Sequence, residues 1–209
     1  MLLGGFVSAQ KRQAFVYTEL DGLPSSWSTS VVQGLDGEIW VATREGVASF
    51  DGQRWQRRIP PGVLGRVRRL VRDGERLVAV GQPDHGVALF EGSGWTLLPP
   101  PPIRGDAVAV VAAAGTIWIA TEQDLARWRG GAWRVVGLPD ELGRMHGAAP
   151  GHGASGLWLA TDSGLWHHAN EQSTRWTRDP CFAVASVPAT SPAGQAACRI
   201  VSHFVFSFG

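Results

Sequence analysis

Six side chains capable of ionic or acid–base chemistry stand out in the 209-residue chain: Arg44, Asp84, His85, Arg104, Asp124 and Arg144. They come from well-separated segments and mix charge signs. That suits a polar ligand such as a sugar acid or oligosaccharide better than a lipid. Asp84 and His85 are adjacent and offer a carboxylate and an imidazole. Catalysis by His85 would need a hydrogen-bonded acid or nucleophile within about 3 Å, and no sequence feature supplies one. Nucleophile elbow, phosphate loop, HExxH and paired-carboxylate spacings are all absent, so binding without turnover is expected, with no cofactor. Cys181 and Cys198 have no CxxC partner. A zinc site wants four closely spaced ligands. The pair is either one bridge in an oxidising compartment or two thiols, and no metal site is expected.

Composition narrows the partners. Net charge is +1, from 19 basic and 18 acidic residues. Neither sign dominates, so nucleic acid is not an expected partner. Lys11 is the only lysine, so the other basic residues are arginines, which reads as genomic composition bias and not as an arginine-based site. Apolar residues make up 44% of the chain, enough for a core. No apolar run reaches the ~18 residues of a membrane span.

The elements that must position these side chains are repeated. Glu38-Ile39-Trp40-Val41-Ala42-Thr43 returns as Thr116-Ile117-Trp118-Ile119-Ala120-Thr121 and as Gly156-Leu157-Trp158-Leu159-Ala160-Thr161. A weaker copy, Arg76-Leu77-Val78-Ala79-Val80, lies between the first two. With Leu77 aligned to the tryptophans, the anchors Trp40, Leu77, Trp118 and Trp158 are spaced 37, 41 and 40 apart. A ring follows each anchor (Phe50, Phe90, Trp128 and His168), and a tryptophan follows each ring (Trp55, Trp95, Trp133 and, after a longer connection, Trp176).

Each unit reads as four short strands with tight turns. In the first, strands run over 30–35, 38–43, 47–51 and 54–58, with Asp36-Gly37 as a hairpin signal. The second strand is apolar at successive positions, so both of its faces must be buried. A free-standing antiparallel sheet leaves one face wet. Four-stranded sheets stacked face to face around an axis, at about 40 residues per repeat, are the blades of a β-propeller. The predicted fold is therefore all-β, a propeller with about four recognisable four-stranded antiparallel blades forming an incomplete arc of a larger propeller.

The first unit carries a more specific pattern. Gly22-Leu23-Pro24-Ser25-Ser26, Val31, Asp36-Gly37-Glu38-Ile39-Trp40-Val41-Ala42-Thr43, Gly46-Val47, Phe50-Asp51-Gly52 and Trp55 follow one another in order. This resembles the two-component regulator propeller repeat, found in periplasmic sensor regions of bacterial hybrid sensors and related signalling proteins. The resemblance covers roughly residues 13–178. It implies a ligand-binding sensor propeller that is not itself an enzyme. The expected partners are a small-molecule or oligosaccharide ligand and either further blades or a second copy of the sensor. The alternative is a secreted or periplasmic propeller enzyme, a lyase or hydrolase acting on carbohydrate. WD40 and kelch repeats lack their signatures here, and quinone-cofactor propellers remain a minor rival.

The repeat partitions the chain. Residues 1–10 read as a truncated signal-peptide remnant, with Val7-Ser8-Ala9 before Gln10 fitting a cleavage site. Export would make the location periplasmic. Residues 13–29 read as a leading strand and loop, with a strand expected over Gln13–Glu19. Blades follow at 30–59, 67–98, 107–136 and 146–179. Residues 180–209 are either a degenerate blade or a disordered tail from a truncated or frameshifted frame. Trp27 and Trp166, outside the main anchors, are candidate sugar platforms, while position 168 reads as a packed ring. Arg66, Arg68 and Arg69 read as a solvated rim. The loop between second and third strands is short in three blades. In the second blade it gains three residues, Gly81-Gln82-Pro83-Asp84-His85-Gly86, and insertions on one face of a repeat protein often mark its binding face.

Overall fold

The structure, a computed structural model, describes residues 15–186 apart from 35, 61, 93 and 152–155, together with the strand Cys198–Ile200. The signal-peptide remnant expected at 1–10 lies outside the described residues, as does most of the segment after 186. Four sheets follow in chain order, each a four-stranded antiparallel meander. The first comprises β1 (Ser28–Gln33), β2 (Ile39–Thr43), β3 (Gly46–Phe50) and β4 (Trp55–Ile59). The second comprises β5 (Arg69–Asp73), β6 (Arg76–Val80), β7 (Val87–Glu91) and β8 (Trp95–Leu98). The third comprises β9 (Ala109–Ala113), β10 (Thr116–Ala120), β11 (Leu125–Arg129) and β12 (Ala132–Val136). The fourth comprises β13 (Met145–Pro150), β14 (Leu157–Thr161), β15 (Gly164–Ala169) and β16 (Gln172–Arg175). Two short 3-10 turns, Glu19–Asp21 and Asp140–Leu142, are the only helical pieces among the described residues, and no helix is long and apolar enough to cross a membrane.

The first strands are the inner ones. β5 lies against β1, β9 against β5 and β13 against β9. β17 (Val184–Ser186) stands to β13 as β13 stands to β9, and it pairs antiparallel with β18 (Cys198–Ile200). Hydroxyls bridge neighbouring inner strands: Thr29 Oγ1 donates to the Val67 carbonyl at 2.9 Å and Ser30 Oγ to that of Leu70 at 3.0 Å. Such bonds satisfy carbonyls that no ladder reaches.

Packing follows the period-two alternation of the second strands. Trp40 and Ala42 face the second sheet, where they meet Leu77 and Ala79. Val78 and Val80 face the third sheet and meet Ile117 and Ile119. Trp118 and Ala120 face the fourth and meet Leu157 and Leu159. Each inter-sheet layer thus takes one face from each of two strands, and the apolar–apolar pattern of the second strands is accounted for.

Strand register corrects the alignment of the second unit. Ile39 pairs with Phe50, Leu77 with Phe90, Ile117 with Trp128 and Leu157 with His168. Leu77 is therefore the counterpart of Ile39, and Val78, not Leu77, occupies the tryptophan position. Without a tryptophan in β6 the sequence slides by one residue with no visible penalty. The same register makes the loop insertion two residues: Ala42 pairs with Val47 five positions on, Val80 with Val87 seven positions on.

Three other expectations are overturned. Trp176 does not fill the place of Trp55, Trp95 and Trp133. Ser173 pairs with His168 instead, and Trp176 stacks edge-on against Trp158 with ring centroids 5.0 Å apart. Residues 15–18 form no strand, and Gln13 lies outside the described residues. Tyr17 instead packs on Phe50 and Trp55 at 5.3 and 5.5 Å, covering the face of the first sheet as Trp40 covers Phe90 and Trp95 of the second. Trp166 is 3% exposed and packs in the layer between third and fourth sheets, so it is no platform.

His168 is fully buried in the slot where the first three sheets carry Phe50, Phe90 and Trp128. Its Nδ1 is 2.9 Å from Ser173 Oγ, while Nε2 has no hydrogen-bond partner among the described residues. Burial holds its pKa below the usual 6.5, with the Arg127 and His167 charges acting the same way and Glu171 opposing. The native state therefore resists a proton that the unfolded chain takes up as pH falls through about 6.5. Stability is unaffected by this group above that pH and is lost below it. We expect thermal melts between pH 7 and 5 to show a steeper loss of Tm for the natural chain than for His168→Phe. Parallel pH profiles for the two proteins would refute this account.

Candidate functional site

Meander connectivity decides which loops share an end. Turns between second and third strands emerge together with the sheet-to-sheet connections, and the other two turns of each sheet emerge at the opposite end. All six residues singled out from the sequence lie at the first of these ends. Arg44, Asp84 with His85, and Asp124 occupy the second-to-third-strand turns of the first three sheets. Arg104 is in the connection from β8 to β9, and Arg144 is in that from β12 to β13.

The threonine that ends the repeat builds the short turns. Thr43, Thr121 and Thr161 are buried, and their hydroxyls accept backbone N–H groups of the turn: Glu45 at 3.3 Å, Asp124 at 2.9 Å and Ser163 at 3.2 Å. Gly81 replaces this threonine in the second sheet, where the turn is longer. That loop is nonetheless well tied. Gly81 N–H donates to the Gly86 carbonyl, Gln82 N–H to that of Leu64 and His85 N–H to that of Gln82, at 3.3, 3.1 and 3.0 Å.

Two of the six meet in one cleft, and a third closes its rim. A cleft of about 500 Å³ is lined by Arg104, Asp106, Glu122 and Asp124, with Thr121 at its wall. Arg104 N–H donates to Asp124 Oδ2 at 3.3 Å. Arg144 reaches the rim through Glu122, with Nε 3.6 Å from Oε2. That pair is half exposed and adds about 0–1 kcal/mol, so these charges remain free to meet a ligand. Asp124 stands where the other three sheets have glycine (Gly46, Gly86 and Gly164), which places a carboxylate in a position otherwise without a side chain.

The other three are set apart. Asp84 Oδ1 and His85 Nδ1 are 2.9 Å apart at the surface and border no part of the cleft. The hydrogen bond from His85 holds the Asp84 carboxyl below the usual carboxylate range. Arg44 lies 4.2 Å over the Trp27 ring on the first sheet, and Trp27 is 65% exposed, a stacking platform at the same end.

Sequence reasoning missed two features. His146 Nε2 lies 2.6 Å from Asp162 Oδ1, a pair separated by 16 positions that only the β13–β14 pairing brings together. Of the arginines read as a solvated rim, Arg69 is exposed as expected, whereas Arg68 is part-buried and engaged. Arg68 is ion-paired with Asp106, and Arg69 donates to the carbonyls of Arg68 and Val108 at 3.2 and 3.3 Å. A further cleft of about 440 Å³ opens at the opposite end between the first two sheets. Its cations are already engaged, Arg58 by Glu38 and Ser49 and Arg72 by the carbonyls of Gln33, Gly34 and Gly74.

No known family profile matches the chain, and no curated protein matches it by sequence. Solved structures do. The extracellular domain of a protein assigned to a hybrid two-component system from B. thetaiotaomicron superposes with a TM-score of 0.60 at 16% identity, over 77% of this chain and 26% of that one. The extracellular domain of a protein assigned to a one-component system from the same organism gives 0.59 at 12% identity, over 78% and 25%. A catalytically inactive virginiamycin B lyase from Staphylococcus aureus, solved with quinupristin, gives 0.62 at 16% identity, over 78% and 60%. At these identities the likeness establishes the fold, a β-propeller. The chain spans about a quarter of the two extracellular domains it matches.

Proposed function

We propose that this chain is the ligand-binding part of an extracytoplasmic sensor propeller in a bacterial signal-transduction protein, and that it binds a polar small molecule or oligosaccharide without turning it over. The observation that carries this reading is the mixed-charge cleft of Arg104, Asp106, Glu122 and Asp124 at the loop end, rimmed by Arg144. Binding residues concentrate on loops that a rigid scaffold holds in place, and convergent charged groups there fix the orientation of a polar ligand. The repeat pattern and the two extracellular signalling domains that share the fold support the same reading, including a periplasmic location. Asp84, His85 and the Trp27–Arg44 stack lie on that end too and would meet a ligand longer than the cleft. Further blades or a second copy would pack on the first sheet, where Ile39 and Trp55 are incompletely covered.

The enzyme reading is favoured by one observation, the His146–Asp162 pair, an imidazole oriented by a carboxylate. The superposable lyase is a histidine-to-alanine variant and inactive. A single calorimetric experiment separates the readings. Neutral and uronate-containing oligosaccharides are titrated into the chain, and the mixtures are analysed for products. The expected result is saturable binding without products. Arg104→Ala combined with Asp124→Ala should weaken it at least about tenfold, some 1.4 kcal/mol, with the melting temperature nearly unchanged. Product release would move the assignment to the enzyme.

A further inference from the structure

We propose a second, smaller site on the axial side of the inner strands, taking a hydroxylated monocarboxylate of monosaccharide size, with Arg69 as partner of its carboxylate and His146 as partner of a hydroxyl. The choice of this end rests on the sensor reading above; the ligand contacts do not. A cavity of about 220 Å³ is bordered by Arg69 on β5, Val108 before β9, His146 on β13 and Phe182 before β17. It draws on three consecutive sheets and on the segment entering β17, as an axial site must. It is smaller than the roughly 300–1,000 Å³ of pockets that hold drug-sized ligands, so a molecule of monosaccharide size fills it.

A backbone irregularity aims the imidazole. The pairing of β13 with β14 shifts register between Met145 and Gly147. Such bulges re-aim a side chain. Met145 is fully buried between the third and fourth sheets, whereas His146 turns toward Phe182, with ring centroids 5.0 Å apart. Asp162 accepts hydrogen bonds only, so the Nε2 proton points at it. In the neutral ring Nδ1 is then a lone-pair acceptor, suited to a ligand hydroxyl. Phe182 is exposed and offers an apolar wall to the C–H face of a sugar ring.

Charge selects the rest of the ligand. Arg68 is neutralised by Asp106, but no carboxylate among the described residues pairs with Arg69. Two of its five N–H groups are held by carbonyls, which fix the guanidinium and leave donors and a full positive charge at the cavity. A carboxylate matches that charge. A phosphate dianion would bring excess negative charge beside Asp162, and a neutral sugar would leave Arg69 unmatched.

The test is a titration of the folded chain with D-glucuronate, D-glucose and inorganic phosphate, followed by amide chemical shifts. D-glucuronate should saturate in the millimolar range, and the two controls should not. Arg69→Gln should weaken it at least about tenfold, Arg69→Lys should weaken it less, and His146→Asn should also weaken it. Arg134→Ala, on the exposed outer strand β12, should leave it unchanged. Equal binding of D-glucose, tighter binding of phosphate, no saturation by D-glucuronate, or an unchanged constant in folded Arg69→Gln each overturns the axial site. Oligosaccharide binding that survives while D-glucuronate fails would sink this site and leave the sensor reading intact.

Discussion

Trp118→Ala is expected to destabilise the protein by about 3–5 kcal/mol, lowering Tm by roughly 6–20 °C for a chain of this size. The indole is 3% exposed and packs with Leu157, Leu159 and Trp166 across the third-to-fourth sheet layer. It meets His168 edge-on at 5.8 Å, and Arg127 lies 5.4 Å over its face. Blade stacking gives the ring no freedom to be replaced by solvent. The repeat also explains why this tryptophan is less dispensable than its counterparts. In the second sheet the position holds Val78, and the layer is filled from the opposite side by Trp128 and Trp133. Opposite Trp40 stand Phe90 and Trp95. At the positions equivalent to Phe90 and Trp95 the fourth sheet offers Trp118 the smaller His168 and Ser173, which reach less far into the space the indole would vacate. Trp40→Ala should therefore cost less than Trp118→Ala. Equal costs, or a loss below about 1 kcal/mol at Trp118, would remove the packing argument. Paired thermal and urea melts decide it.

How much of this was legible in the sequence follows from how each feature is encoded. Trp40, Trp118 and Trp158 advertise their strands because a large ring and a turn-closing threonine recur together. Both residues have a physical task, one filling the layer between sheets and the other accepting turn N–H groups. The second sheet has neither, and there the reading slipped by a residue: Leu77 and Val78 are both plausible core, and only the cross-strand pairing with Phe90 distinguishes them. Trp176 misled for the opposite reason. It is a tryptophan near the expected place, but the hairpin Ala169–Gln172 is tight and brings Ser173 into register first. Trp166 likewise looked free of the repeat, yet the period-two alternation of β15 turns it inward.

The candidate site divides the same way. That the six loop residues share an end follows from meander connectivity, which four strands and short turns already imply. Which of them meet does not follow. Asp84 and His85 sit in the most conspicuous insertion and yet satisfy each other. Arg104 and Asp124 come from two loops whose approach depends on how the third sheet sits against the second. His146 and Asp162 are invisible until β13 and β14 are paired and the bulge at Met145–Gly147 is seen, because a one-residue irregularity decides whether His146 faces the core or the axis.

Gly164→Ala should be severely damaging, costing about 3 kcal/mol or more through combined strain and overlap. Gly164 opens β15 with φ +129, a conformation that residues with a side chain rarely adopt. An added Cβ would lie 2.8 Å from the Thr177 carbonyl carbon and closer still to its oxygen, because the chain leaving β16 crosses behind the start of β15. Backbone must move on one side or the other, and neither side is free: the Thr161 hydroxyl is bonded to the Gly164 carbonyl at 2.8 Å, and Trp176 N–H to that of Leu165 at 2.7 Å. Gly37 provides the control. It also has positive φ (+80) but faces open space, so Gly37→Ala should carry only the conformational cost of about 1 kcal/mol. Blade three shows where the constraint lapses. Asp124 holds the position equivalent to Gly164 and carries a side chain into the cleft, so Asp124→Gly should scarcely move Tm while removing a charge from the site. A Gly164→Ala protein that melts with Gly37→Ala would mean that the fourth sheet yields at its edge, and that glycine at this turn is not required by the crossing strand.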